Sequence, residues 1–222
     1  EDELFLQVRT AHRLLAAYYQ RVLPTIESMA QALGLKFYGW IPSQHNAPRQ
    51  FSGNVFDHWQ WDLLPANCTH YVFYNAEKKD ELEVGKYMVV FHLISDSGIL
   101  KENLQQTKSQ TDGLELPLSV EKAESVLRVQ LYTPYESRKG HWHDGLFAKC
   151  ETPKFTAEPK AQKVEANVKA FISGFEIPLT ELICESAVDD IIKRIDKYRD
   201  QLISSAKALN DKNSALAITD EL

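Results

Sequence analysis

No apolar run in the 222 residues approaches the ~18 consecutive positions that a membrane-crossing helix requires, so no helical span is expected. Cysteine is scarce as well. Cys68, Cys150 and Cys184 are odd in number and far apart, which points away from a disulfide framework and from CxxC zinc or redox sites. A reducing compartment fits this usage, and the cytoplasm is the expected location. Basic charge is also short, with 25 Lys and Arg against 31 Asp and Glu and a net charge of -6. Without a basic stripe the chain lacks the counterion-release term of general nucleic-acid binding. Lys154, Lys160 and Lys163 do recur, but Glu158 and Glu165 interrupt them and Pro153 and Pro159 mark a loop. The segment reads as a solvated connection.

Common catalytic templates are missing too: there is no GxSxG elbow, Walker loop, GxGxxG turn or HExxH helix. No catalytic residue is assigned, and no cofactor or intrinsic metal is expected. The chain opens on Glu1 rather than Met, which leaves room for an upstream segment that has been removed.

What is present is an ordinary globular balance, 44% hydrophobic and 25% charged, enough for a real core. Leu4, Val8, Ala11, Leu15, Tyr18, Val22, Ile26, Met29 and Leu33 recur three or four residues apart and predict one helical face over residues 1–34. Gly34 caps that helix, and Pro24, which cannot donate to the Gln20 carbonyl, predicts a kink. Such a helix is longer than a domain of this size needs, so part of it is expected to meet another chain. A second helix is expected over residues 186–209, opened by Ser186 with Asp189 and carrying Val188, Ile191, Ile195, Tyr198 and Leu202 on its apolar face.

Between them, residues 35–178 read as strands and loops. Leu35 to Ile41, Thr69 to Tyr74, Lys86 to Ile94, Ser125 to Thr133, Leu146 to Cys150 and Val168 to Ile177 are the strand candidates. The run KYMVVFHLI is apolar on both faces and predicts a central strand, whereas alternation in Ser125 to Thr133 predicts a half-exposed one. No crossover helices separate these runs, so antiparallel pairing is the simplest topology. The expected fold is a single α+β domain over residues 1–222, a mainly antiparallel sheet of about six strands with both long helices on one face.

Two segments are candidate binding sites. FDHWQWD places Trp59 and Trp61 on one face of an extended chain beside Asp62, as in a stacking or partner-binding platform; the competing reading buries both rings in the core. HWHD puts His141 and His143 on one side of an extended chain around Trp142, with Asp144 adjacent, a fragment of a metal site that lacks a second cluster; a polar loop is the simpler reading. His92, inside the apolar strand, is expected to be a hydrogen-bonded core histidine, with Asp96 as the acid that would tune a catalytic one. The favoured function is a noncatalytic interaction or regulatory protein with a protein partner, including a homodimer through the terminal helices. The alternative is a hydrolytic or metal-dependent enzyme using His and Asp residues of the central loops.

Overall fold

The computed structural model describes residues 2–43, 67–100, 116–183 and 185–219. Helix α1 (Asp2–Ala32) follows the periodic apolar positions and runs through Pro24 as one helix. Thr25 donates its hydroxyl to the Arg21 carbonyl at 2.8 Å beside the proline. The helix stops at Gly34, whose φ of 66° is left-handed, and Leu35 N–H donates back to the Ala30 carbonyl at 2.9 Å.

Among the described residues eight strands follow in chain order: β1 (Lys36–Pro42), β2 (Cys68–Tyr74), β3 (Glu81–Leu82), β4 (Met88–Ile94), β5 (Val126–Pro134), β6 (Arg138–Lys139), β7 (Gln162–Val164) and β8 (Ala170–Pro178). Six form one sheet in the order β1-β2-β4-β5-β8-β7, with every neighbouring pair antiparallel, while β3 and β6 make a small separate ribbon. The α+β fold with a six-stranded antiparallel sheet is therefore as the sequence predicts. Helix α2 (Glu185–Thr219) begins one residue before Ser186 and continues ten residues past Leu209.

Alternation along each strand divides the side chains between two cores. On one face Phe73, Phe91, Leu93, Val129 and Phe175 pack under Ile26 and Met29 of α1 and Ile191, Ile195, Tyr198 and Leu202 of α2. Both helices thus share one face of the sheet, because each carries one apolar stripe and the sheet offers one matching surface. On the other face Val72, Tyr74, Met88, Val90, Tyr132 and Ile172 are covered by Trp142, Leu146 and Leu82. Strand β4 is buried at every position, as its doubly apolar sequence requires.

Three local expectations need correction. Leu146 to Cys150 is not a strand: Trp142–Leu146 forms a π-helical turn and Phe147–Lys149 a 3-10 turn. A short apolar run has no period that separates strand from helix, and here Trp142 and Leu146, four residues apart, enter the same core. The lysine-containing connection includes β7, an edge strand paired to Ala170, Phe171 and Ile172. Strand β5 is not half-exposed, since Gln130 is 2% accessible and accepts a hydrogen bond from Tyr132 Oη at 2.5 Å. Gly174 allows the second face to close: a Cβ there would lie 2.8 Å from the Val129 carbonyl oxygen and 3.1 Å from the Phe155 ring.

Candidate functional site

The apolar stripe of α1 is continuous in sequence but only half of it is used by the fold. Ile26, Met29 and Ala30 are buried, and Tyr18, Tyr19 and Val22 pack against the same core. From residue 3 to residue 17 every position is exposed. Leu4, Phe5, Leu6, Val8, Leu14 and Leu15 keep between 42% and 65% of their surface accessible. At about 1.5 Å per residue, the 31-residue helix is about 46 Å long, and roughly half of it projects beyond its own sheet. Isolated exposed apolar residues need no explanation, but five of these six, all except Leu6, fall on one side of the helix and form a patch of the kind that marks a contact surface.

The projecting seam leads into a groove of about 740 Å³ between α1 and the start of α2. Tyr18, Arg21, Val22 and Thr25 form its α1 wall, and Leu179, Leu182 and Val188 the opposite one. Edge strand β1 adds a second exposed apolar set, with Phe37 55%, Trp40 48% and Ile41 37% accessible. Among the described residues β1 pairs only with β2, and an edge strand with exposed aromatics is a surface that proteins ordinarily cover or charge.

On the sheet face away from the helices, pairing aligns a polar row across four strands. His70 pairs with His92, His92 with Arg128, and Arg128 with Glu176. The two imidazole centroids are 3.9 Å apart, and Arg128 Nε donates to Glu176 Oε1 at 2.6 Å. His92 Nε2 lies 2.9 Å from Ser43 Oγ and 3.1 Å from Cys68 Sγ, while Ser43 donates to Cys68 Sγ at 2.8 Å. Burial, then the neighbouring His143 and Arg128, lower the His70 pKa to about 4. Burial, then His70 and Arg128, hold His92 well below the usual histidine range. Both rings are therefore neutral at neutral pH.

A neutral imidazole beside a hydroxyl and a thiol has two parts of a nucleophile–base arrangement. The third part, a group orienting the far ring nitrogen, is not in place: buried His92 Nδ1 has no partner among the described residues. Asp96, the acid expected to tune this histidine, instead accepts from Gly98 N–H at 2.8 Å. Cys68 is fully buried. The cluster is a hydrogen-bonded knot built on the buried Cys68 and His92, with Ser43 and His70 half-buried at its margin.

Of the residues singled out from sequence, Trp59, Trp61 and Asp62 lie outside the described residues, as do Asp57 and His58. From Trp142 onward the HWHD segment is helical, with His141 as its extended N-cap, which removes the basis for placing the two imidazoles on one side. Trp142 is fully buried with its ring 6.2 Å from that of Tyr74. His143 stacks on Tyr38 and bonds Asp144 Oδ1 at 2.7 Å, whereas His141 is exposed. Among the described residues no three His, Cys, Asp or Glu side chains converge as metal ligands. Sequence reading missed His70, Ser43, Arg128 and Glu176 because their alignment depends on strand register, which a linear pattern does not carry.

The family model PM0109 matches residues 1–204. The chain belongs to the PM0109 family. A protein of Pasteurella multocida (strain Pm70), named Uncharacterized protein PM0109, is 23% identical over 208 residues, which span 93% of this chain and 95% of the relative. No solved structure matches the chain. The family match takes in all of α1, so the projecting half of the helix is within the region that defines membership. No helix among the described residues is long and apolar enough to cross a membrane.

Proposed function

We propose that this PM0109 family protein is a noncatalytic interaction module that works through protein–protein contact, with the projecting half of α1 as its contact surface. The observation that carries this reading is the apolar seam exposed from Leu4 to Leu15, in line with the seam from Tyr18 to Met29 that packs on the core. A helix of this length without packing is only marginally stable in water, so a sequence that keeps it apolar along one face gains by covering it with a partner. The sheet and α2 act as the rigid base that holds the helix out. The thiols of Cys68 and Cys150 suit a reducing compartment, and the proposal places the protein in the cytoplasm.

The reading is tested with a photoreactive residue introduced at Val8 and, as a control, at Lys193 on the exposed side of α2, where 70% of the side chain is accessible. Irradiation in cells is expected to give a discrete protein adduct at Val8, lost when Leu4 and Leu15 are both changed to Gln, and none at Lys193. Equal labelling at the two positions, or adducts that ignore the Gln substitutions, would contradict it.

A further inference from the structure

The projecting seam and the groove beside it belong to the same helix, and their spacing makes them complementary to each other. Leu4, Val8, Ala11, Leu15, Tyr18 and Val22 alternate spacings of four and three, the d and a positions of a two-stranded seam. They are also symmetric about residue 13, since 4 and 22, 8 and 18, and 11 and 15 lie equally far from it. Tyr18 and Val22, at one end of this set, line the groove, while Leu4, Val8 and Leu15 are exposed at the other. We infer that the occupant of the groove is the projecting α1 of a second copy of this chain, laid antiparallel about a two-fold axis at residue 13. This rests on the reading of α1 as a contact surface and names its partner.

In that register Leu4 meets Val22 of the second copy, Val8 meets Tyr18, and Ala11 meets Leu15, so every a position faces a d position and each contact occurs twice. The flanking positions agree. On one side Leu14 meets its own equivalent at the two-fold, and on the other Phe5 comes beside Tyr19. Glu3 comes within one turn of Arg21, which lines the groove and has no ion-pair partner among the described residues. A parallel pair would instead oppose two alanines at position 11 and would leave Arg21 facing Ile26 rather than an acidic residue.

The area is sufficient for a specific pair. Covering up to about 100 Å² on each of Leu4, Phe5, Val8, Leu14 and Leu15 in both copies, together with the groove walls they enter, brings the total to roughly 1,200 Å², the lower bound for stable association. The two-fold arrangement also leaves no unfilled groove, so association closes at two copies rather than extending into a filament.

The test combines light scattering of the full chain with disulfide trapping. The wild type is expected to be a dimer at micromolar concentration. Separately prepared Ala11→Cys and Leu15→Cys proteins are expected to form a covalent dimer only when mixed and oxidised, because positions 11 and 15 face each other, whereas either position is too far from its own equivalent for a disulfide. Self-trapping of Ala11→Cys with no gain on mixing would mean a parallel pair and would overturn the inference. A wild type that stays monomeric at high micromolar concentration would overturn it as well, while leaving the contact-surface reading to the in-cell adducts at Val8.

Discussion

Ile195→Asp is expected to abolish cooperative folding. Ile195 is fully buried in α2, inside the core shared by the sheet and both helices. Loss of the buried isoleucine removes about 1.5–3 kcal/mol of apolar burial. The introduced carboxylate adds several kcal/mol more, whether it stays charged without a counterion or takes up a proton at an unfavourable cost. Together these reach the ~5–15 kcal/mol that stabilises an ordinary domain. Urea titration followed by circular dichroism is expected to show no folded baseline, or one lost at a small fraction of the wild-type midpoint. A variant with wild-type stability would mean that this α2 stripe is surface rather than core.

The second large effect is one of pH. Stability is expected to fall by on the order of 3 kcal/mol as pH is lowered from about 6.5 to about 4, on account of His70 alone. The folded state holds the His70 pKa at about 4, below its ordinary value of 6.5, because burial and the nearby His143 and Arg128 oppose its charge. The unfolded chain therefore binds a proton through this window and the folded chain does not, so acid favours unfolding. Above the ordinary value both states are neutral and the group makes no difference; below about 4 both are charged and the loss is complete. His92 acts in the same direction, since its pKa is also lowered and its ring lies against that of His70. Urea midpoints across this range are expected to drop steeply for the wild type and less steeply for His70→Phe, in which an apolar ring takes the place beside Phe147. An unchanged slope in that variant would show that the buried histidine pair does not set the acid response.

The two predictions concern residues whose surroundings were unequally legible in the sequence. Ile195 stands on a stripe that reads unmistakably as a helix face, but periodicity does not say what the face meets. A globular helix and a dimer seam have almost the same spacing. The structure resolves that ambiguity differently for the two helices: Val188 to Leu202 of α2 is absorbed within the chain, whereas the first half of the α1 stripe is not. The longer strands were legible because they are runs rich in β-branched and aromatic residues bounded by turn formers such as Gly, Pro, Asn and Ser, and because β4 is apolar on both faces. Short elements were not. The turn at Trp142–Leu146 follows tertiary contacts, and β7, three residues long, carries too few positions to show alternation.

The polar row illustrates a different limit. His70, His92, Arg128 and Glu176 are 22, 36 and 48 residues apart in turn, and only antiparallel register puts them side by side. His92 stands out in its apolar strand, but His70, Arg128 and Glu176 each read alone as an unremarkable polar residue in a strand. The same register explains why the histidine end of the row is desolvated while Glu176 is not: His70 and His92 lie beside the packed rings of Phe147, Tyr132 and His143.

The central claim, that the first half of α1 is built to be covered by another protein rather than by its own fold, is most directly tested by amide hydrogen exchange on the isolated protein at high dilution. Amides of residues 18–32 are expected to exchange slowly, because that half is packed on the sheet, and those of residues 4–15 rapidly, because an unpacked helical segment of that length opens readily. Slow exchange along the whole of α1 in the dilute monomer would contradict the account, since the projecting half would then be held by the fold itself.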